Sequence, residues 1–487
     1  MPDNLKQKGI SSFLWDIIGK FANSGMGFII TIFLARLLEP SEFGLIAIVL
    51  VFLGFISVFF DAGLSAALIQ RKRVLPIHYS SVFYFNIIIA LILGLLVFIS
   101  AKSIAEFYNN NELIVILQVM SISFLLGAFS SVQKVQLQRK LNYKILSKIT
   151  ILSTVISGVI GILFAYNGAG VWSLIIQNIS FGIMTNILLW KISNWRPSYL
   201  FSIKALKNLW SFGFHIFLVS LINSIFGRID VIIAGKLISP SVLGFYDRAK
   251  HLNQMIYSYS AGSLMAVLFP ILSKIQKDLE RFQKIFIKIY NILSFYIFWF
   301  IGLSYIISEE LILLLYSEKW LTSVIFFKII ILSTFAHIYG SLLTNILVSR
   351  GKSKIYLHID ICKKILMTIN LFIGFSYGLE GFLYGSIIVA IMTFIIDLYF
   401  ATRELNLVFM PFLKTTIIHI IIALFSAVFV LYISLFVEFH FFVILLIKFF
   451  LFSIIYLCFS YLFKSQGLSI IAEEIMKLWL RRKSEYK

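Results

Sequence analysis

Cysteine is almost absent from this chain of 487 residues: there are two, Cys362 and Cys458, each inside an apolar run. That excludes a disulfide framework and a thiolate zinc site. Proline is scarce at seven, and the 27 glycines are scattered, so no Pro-, Gly- or Ser-rich linker divides the chain. Acidic residues number 22 against 42 Lys and Arg, and charged residues make up only 13%. No Gly-rich phosphate loop and no metal-ligand spacing occur, so neither an ATPase core nor a resident cofactor is expected. Nothing else in the chain has the signature of an enzyme.

What is present is hydrophobic sequence, at 60% of the residues with a mean hydropathy of +0.96. A soluble core does not need so much, and the chain reads as an all-α polytopic membrane protein. At roughly 34 residues per span and connector, the length allows about fourteen transmembrane helices. The first twelve residues are polar and basic, and no small-residue cleavage site follows the first apolar stretch, so that stretch reads as a retained helix.

The net charge of +20 invites a nucleic-acid reading, which its distribution rejects. Alternate connectors carry about thirty Lys and Arg, and the opposite set only about four: Arg36, Lys102, Lys236 and Lys319. That second set carries glutamates instead, among them Glu39, Glu42, Glu106, Glu112, Glu309 and Glu310. By the positive-inside rule both termini lie in the cytoplasm, and the partner of the basic residues is the bilayer.

The chain contains a duplicated phrase. Residues 35–45 read ARLLEPSEFGL and residues 235–245 read GKLISPSVLGF, 200 positions apart without a gap. Arg36 answers to Lys236, Leu37 to Leu237, Pro40 to Pro240, Ser41 to Ser241 and Gly44 to Gly244. Each copy lies between two apolar runs. Pro ends the incoming helix and Ser starts the next, so each is a tight hairpin at the outer side. Further matches at an offset of 211 pair Leu137-Gln138-Arg139 with Val348-Ser349-Arg350, and Gly170 with Gly381. The two halves therefore run six spans each in the same sense, as parallel repeats.

The spans of the first half are expected near 14–36, 43–70, 80–101, 112–132, 146–166 and up to Lys191. Those of the second are expected near 211–238, 242–272, 285–307, 321–348, 355–376 and 380–400. This gives an N-terminal lobe over 1–191, a cytoplasmic amphipathic connector over 192–209 and a C-terminal lobe over 210–402. Two extra spans lie within 403–463, and an amphipathic cytoplasmic tail occupies 464–487, with Leu468, Ile471, Ile475, Leu478 and Trp479 at helical spacing.

ARLLEPSEFGL, FDAGLSAALIQRK at 60–72, LQRKLNY at 137–143, GAGVWSL at 168–174 and RIDVIIAGKLISPSVLGFY at 228–246 come in order at matching span positions. Over roughly residues 10–400 the chain resembles the lipopolysaccharide and exopolysaccharide flippases of the multidrug/oligosaccharidyl-lipid/polysaccharide exporter superfamily, near the colanic acid and teichuronic acid exporters. The resemblance implies two six-helix lobes around a central cavity, alternating between inward-open and outward-open. It also implies an undecaprenyl-diphosphate-linked oligosaccharide as cargo, moved to the outer leaflet of the bacterial cytoplasmic (inner) membrane for O-antigen or exopolysaccharide assembly. The protein is expected to act as a monomer, with polysaccharide polymerase or glycosyltransferases as functional neighbours. Two alternatives compete with this. A multidrug cation antiporter of the same superfamily would want acidic cavity residues in the first half, where only Asp61 qualifies. A polysaccharide polymerase or ligase would want a large outer loop with Arg and His, which is missing.

Ionisable side chains inside apolar spans are costly and each needs a reason. The densest set flanks the second hairpin: Arg228 and Asp230 before it, and Asp247, Arg248, Lys250 and His251 after it. One reading is an ion-pair network tying neighbouring helices. The other makes Arg228, Arg248 and Lys250 a cationic wall for diphosphate or acidic sugar, with Asp230 and Asp247 as their counter-ions. Four positions favour the second: 28, 30, 47 and 48 in the first half are Phe, Ile, Ala and Ile, so the duplication is charged on one side only. Asp61 either pairs with Lys20 or carries a coupling proton. Asp360, Lys363, Lys364 and Asp397 are expected near cytoplasmic ends, free to snorkel. His337 and His419 read as hydrogen-bonded core residues, and Lys448 has no evident partner. Among the aromatics, Trp172, Tyr246, Tyr257 and Tyr259 are candidates for a sugar-facing role.

Overall fold

The computed structural model describes residues 3–258, 275, 278–436 and 439–485, and their side chains except at 3–10, 13, 60, 478 and 480–485. All regular structure among these residues is helical, and twelve of the helices are long and apolar enough to cross a membrane. The eleventh expected span is a helix, Ser353–Ser376, but Lys354, Asp360, Lys363 and Lys364 keep it out of that twelve. The part of the eighth from 259 to 272, with Tyr259, lies outside the described residues. The chain divides into two compact units, Met1–Asp247 and Arg248–Lys487.

In the first unit, α1 (Asp3–Leu37) enters the first hairpin and α2 (Pro40–Asp61) leaves it. Pro40 occupies the first helical position, where its missing N–H costs nothing. The Glu39 N–H donates to the Glu42 carboxylate at 2.7 Å, which closes the turn. The second expected span does not run unbroken to residue 70. Ala62 and Gly63 take left-handed backbone (φ 44° and 72°), ending α2 and starting the short α3 (Leu64–Gln70). The fourth is likewise split, into α5 (Glu112–Met120) and α6 (Ile122–Arg139), after α4 (Pro76–Tyr108).

The Arg139 guanidinium explains part of the LQRKLNY phrase. It donates to the carbonyls of Leu68, Ile69 (3.0 Å) and Arg71 (2.8 Å), satisfying the C-terminus of α3, where cations are favoured. Arg350, its counterpart in the repeat, does other work, pairing with Glu404 at 3.1 Å.

Helices α7 (Tyr143–Tyr166) and α8 (Val171–Ile192) complete the set, and α1 packs on α7 through small residues. Ser147 donates to the Trp15 carbonyl at 3.0 Å, Thr154 to Asn23 at 2.6 Å, and Ile30 fills the notch left by Gly158. Small and hydroxyl residues at close helix contacts are how helices adhere where burial of oil in oil gains nothing. The connector after α8 is pinned to the unit. Trp195 meets Phe83 edge-on at 5.6 Å, and the Ser198 N–H reaches Ser80 at 3.0 Å. From Ser202, whose hydroxyl caps the Ala205 N–H, the chain continues as α9 (Ile203–Leu237). After the second hairpin comes α10 (Pro240–Tyr257).

The second unit is built on α11 (Leu279–Ile306), with α12 (Ser308–Tyr316), α13 (Ser323–Ser349), α14 (Ser353–Ser376) and α15 (Gly378–Glu404) around it. The two extra spans, α16 (Phe409–Ser434) and α17 (Phe441–Leu462), both dock on α11. Tyr290 lies 2.7 Å from the Thr416 hydroxyl, and Tyr456 donates to the Phe295 carbonyl at 2.9 Å. Lys448 meets Glu310 at 2.5 Å, with both side chains nearly buried, which supplies its missing partner. The tail helix α18 (Gln466–Glu485) leans on α11 at Gly467, and Glu474 pairs with Lys288 at 2.6 Å. The Lys288 ammonium holds the Glu474 carboxyl below its usual range, so this docking contact is present at neutral pH and weakens as acid protonates Glu474.

Breaking a buried ion pair on one side leaves a charge in a poor solvent. Lys448→Met is therefore expected to destabilise the protein by about 3–5 kcal/mol, and Lys448→Met with Glu310→Met to recover most of that loss. Thermal unfolding in detergent checks this. An unchanged single variant would show that α17 does not depend on the pair.

Candidate functional site

The two copies of the duplicated phrase pack against each other. A Cβ on Gly44 would fall onto the Pro240 carbonyl, with the Gly244 nitrogen 3.1 Å away. Reciprocally, a Cβ on Gly244 would fall onto the Pro40 carbonyl, 3.2 Å from the Gly44 nitrogen. This is self-complementary packing within one chain, residue i on j and j on i, as at a two-fold interface. Glycine is required at both places because backbone meets backbone.

A second close approach lies at the far end of the same helices. A Cβ on Gly63 would strike the Gly213 carbonyl, and one on Gly213 would sit 3.2 Å from the Gly63 carbonyl. Helix α2 runs from the hairpins to Gly63, and α9, starting at Ile203, passes Gly213 on its way back to the hairpins. The two are antiparallel, and the backbone contacts of this stretch, to α10 at Gly44 and to α9 at Gly63, lie about 28 Å apart along it. The hairpin end of α9 is fastened further by Lys236, which donates to the Phe107 carbonyl and lies 4.9 Å over that ring. Tyr108 also donates to the Ile232 carbonyl at 3.3 Å.

The charged residues before the hairpin separate. Positions i and i+2 on a helix point apart, so Arg228 and Asp230 do not face one another. Asp230 is buried and accepts a hydrogen bond from the Tyr246 hydroxyl, which ties α9 to α10 across the hairpin. The equivalent positions in the first repeat are Ile30 and Ile46, so the second copy has a polar tie where the first has two apolar residues. Tyr246 is thereby part of a buried contact and not a sugar platform. Arg228 is exposed, and among the described residues no hydrogen bond or ion pair holds it. Asp247, Arg248 and Lys250 are half-buried and engaged in interactions on α10.

Asp61 does not meet Lys20. It accepts from the Ser65 hydroxyl at the start of α3, while Lys20 pairs within its own helix with Asp16 at 2.6 Å. In the second unit, Asp397 is buried and paired with Lys363 at 2.5 Å, and Lys364 pairs with Asp360 at 2.7 Å. The snorkelling expectation fails for Asp397. Gly340 on α13 lets the carboxylate approach, with a Cβ there only 3.1 Å from its Oδ2. His419 is a hydrogen-bonded core residue, its ring nitrogens each 2.8 Å from the Thr415 carbonyl and the Ser465 hydroxyl. Tyr257 lies 2.7 Å from the Ser341 hydroxyl. Sequence reasoning passed over Glu42, Glu112 and Asn110, which share a cavity of about 650 Å³ with Trp172 in the first unit. Their glutamates had registered only as topology signals.

Apolar helices in a duplicated series, joined through matched hairpins, define a multi-pass membrane transporter fold. Residues 33–325 match the family described as polysaccharide biosynthesis protein, and the chain belongs to that family. It is 25% identical over 429 residues to an uncharacterized membrane protein in the cps region of Klebsiella pneumoniae, covering 85% of this chain and 88% of that one. It is 26% identical over 333 residues to the teichuronic acid biosynthesis protein TuaB of Bacillus subtilis (strain 168), covering 66% and 68%. Among solved structures, the lipid II flippase MurJ in an inward closed conformation superposes with a TM-score of 0.73, covering 92% of this chain and 98% of that one at 18% identity, so the fold is shared. The polysaccharide family expected from the phrases is thus the family of this chain.

The hairpin contact makes a testable statement. Gly44→Ala and Gly244→Ala are each expected to cost about 1–3 kcal/mol through overpacking. The double variant is expected to cost less than their sum, because either one alone already parts the same contact. Thermal unfolding of the three variants measures this, and strictly additive losses would argue against a reciprocal contact.

Proposed function

We propose that the chain is a flippase that carries undecaprenyl-diphosphate-linked oligosaccharide from the cytoplasmic to the outer leaflet of the bacterial cytoplasmic membrane, for cell-surface polysaccharide assembly. Transport is by alternating access of the lobes 1–191 and 210–402, with both termini in the cytoplasm. The observation that carries the reading is the reciprocal packing of the two hairpins. A glycine-to-glycine contact between the duplicated copies is a closure that can open without breaking a covalent or ionic bond. Family membership supports the class of cargo.

Arg228 is the residue we assign to the diphosphate. It lies nine residues before the end of α9, about 14 Å along the helix, exposed and uncommitted among the described residues. A guanidinium fork suits two phosphate oxygens at once. Arg248 and Lys250 are proposed as further cations on α10, with Asp247 as their counter-ion.

The experiment is mass spectrometry of the undecaprenyl-linked pool in a deletion strain. Lipid-linked repeat units should accumulate, and a normal pool with drug sensitivity alone would turn the reading to a cation antiporter. Arg228→Ala should leave protein abundance unchanged and slow flipping about tenfold or more, with Arg228→Lys recovering only part. Tyr246→Phe should instead lower abundance, since it takes a donor from buried Asp230. For topology, cysteines at Ser41 and Ser241 should react with an impermeant outside reagent and one at Arg73 should not; the reverse pattern would invert the protein.

A further inference from the structure

The cavity in the first unit has a wall from each part of the duplicated design. Glu42 comes from the start of α2, Asn110 and Glu112 from the turn between α4 and α5, Gly170 and Trp172 from the turn into α8, and Pro240 from the second hairpin. Its volume of about 650 Å³ is within the range of small-ligand sites, roughly 300–1,000 Å³. We infer that it is a saccharide-binding site on the extracytoplasmic face, selective for neutral sugars, and separate from the diphosphate site proposed at Arg228. The inference rests on the transport reading for the orientation of the hairpins and for the presence of glycan there.

The chemistry follows from what the lining offers. Glu42 is held in place: one carboxylate oxygen accepts the Glu39 N–H, and the other faces Gly170, where any side chain would collide with it. Gly170 takes a positive φ of 56°, which also favours glycine. The second glutamate, Glu112, has no side-chain partner among the described residues, and neither has the indole N–H of Trp172. Asn110 uses its amide oxygen to accept the Glu112 N–H at 2.9 Å, so its NH₂ remains to donate.

Acceptors and donors thus converge beside an aromatic face. A sugar hydroxyl can donate to a carboxylate and accept from an amide or indole N–H, and the ring's C–H face lies on Trp172. A bare cation would use the carboxylates but leave the two N–H donors unmet. An anionic sugar would meet two carboxylates, and no Lys or Arg lines the cavity among the described residues. A neutral sugar satisfies the whole set. Because Pro240 forms one wall, the site is complete only while the two hairpins are packed, so bound sugar stabilises the closed rim.

The test is saturation-transfer NMR on the full-length protein in lipid nanodiscs, with methyl β-glucoside, methyl N-acetyl-β-glucosaminide and methyl β-glucuronide as probes. At least one neutral glycoside should receive saturation and the glucuronide should not. Trp172→Ala should abolish the signal, and Glu112→Gln, at an exposed side chain, should weaken binding about tenfold with thermal unfolding unchanged. Nanodiscs that also carry undecaprenyl-diphosphate-linked sugar separate the two sources of ligand. Loss of the glycoside signal there assigns the site to the lipid-linked unit, and its persistence to free glycan. No signal from either neutral probe, an equal signal from the glucuronide, or a signal that survives Trp172→Ala would overturn the proposal. A normal lipid-linked pool in the deletion strain would instead overturn the transport reading and leave the binding result standing.

Discussion

Two glycines in contact set the limits for much of the first unit. Gly44 and Gly244 bring the backbone of one hairpin onto the backbone of its copy, so both entering and leaving helices are positioned by main-chain geometry. Gly63 and Gly213 repeat the device at the other end of α2, this time against α9. Between hydrocarbon-facing helices there is no gain from hiding oil, and adhesion comes from close approach and from hydrogen bonds. Such contacts are strong only at short range. A shift of a side chain's width removes them altogether, which suits the opening and closing proposed for this rim.

The ionisable groups obey a second constraint, that charge in a span must be satisfied or serve a ligand. One oxygen of Asp230 is taken by Tyr246, one of Asp397 by Lys363, and one of Glu310 by Lys448. These ties connect one helix to another and are the polar counterpart of the glycine contacts. Lys448 and Glu310 also explain how two spans without a counterpart in the repeat become part of the second unit. Against that background an exposed Arg228 stands apart, and it is this contrast, more than the number of charges near the hairpin, that directs attention to it.

Helix periodicity separates residues that proximity in sequence would pair. Arg228 and Asp230 are two positions apart and face different ways; Asp61 and Lys20 each found a partner within one turn. Conversely, Lys363 and Asp397 are 34 positions apart and touch. Glu42, Asn110, Glu112 and Trp172 come from three separate turns and line one cavity.

The sequence by itself determined the class of molecule, its many apolar helices, its duplicated hairpins and its family. Each of these is written in composition, in local periodicity or in an ungapped offset of 200, all of which are properties of residues near one another in the chain or repeated at a fixed interval. The breaks at Ala62-Gly63 and Ser121 were not legible, because a left-handed residue or a helix offset depends on what packs beside it. Tertiary structure alone decided which charges meet, that the two hairpins meet each other, and that four unremarkable polar and aromatic side chains surround one space. The physical reason is range: helix formation and membrane insertion are settled within one span, whereas an ion pair, a glycine contact or a cavity exists only once distant spans are packed.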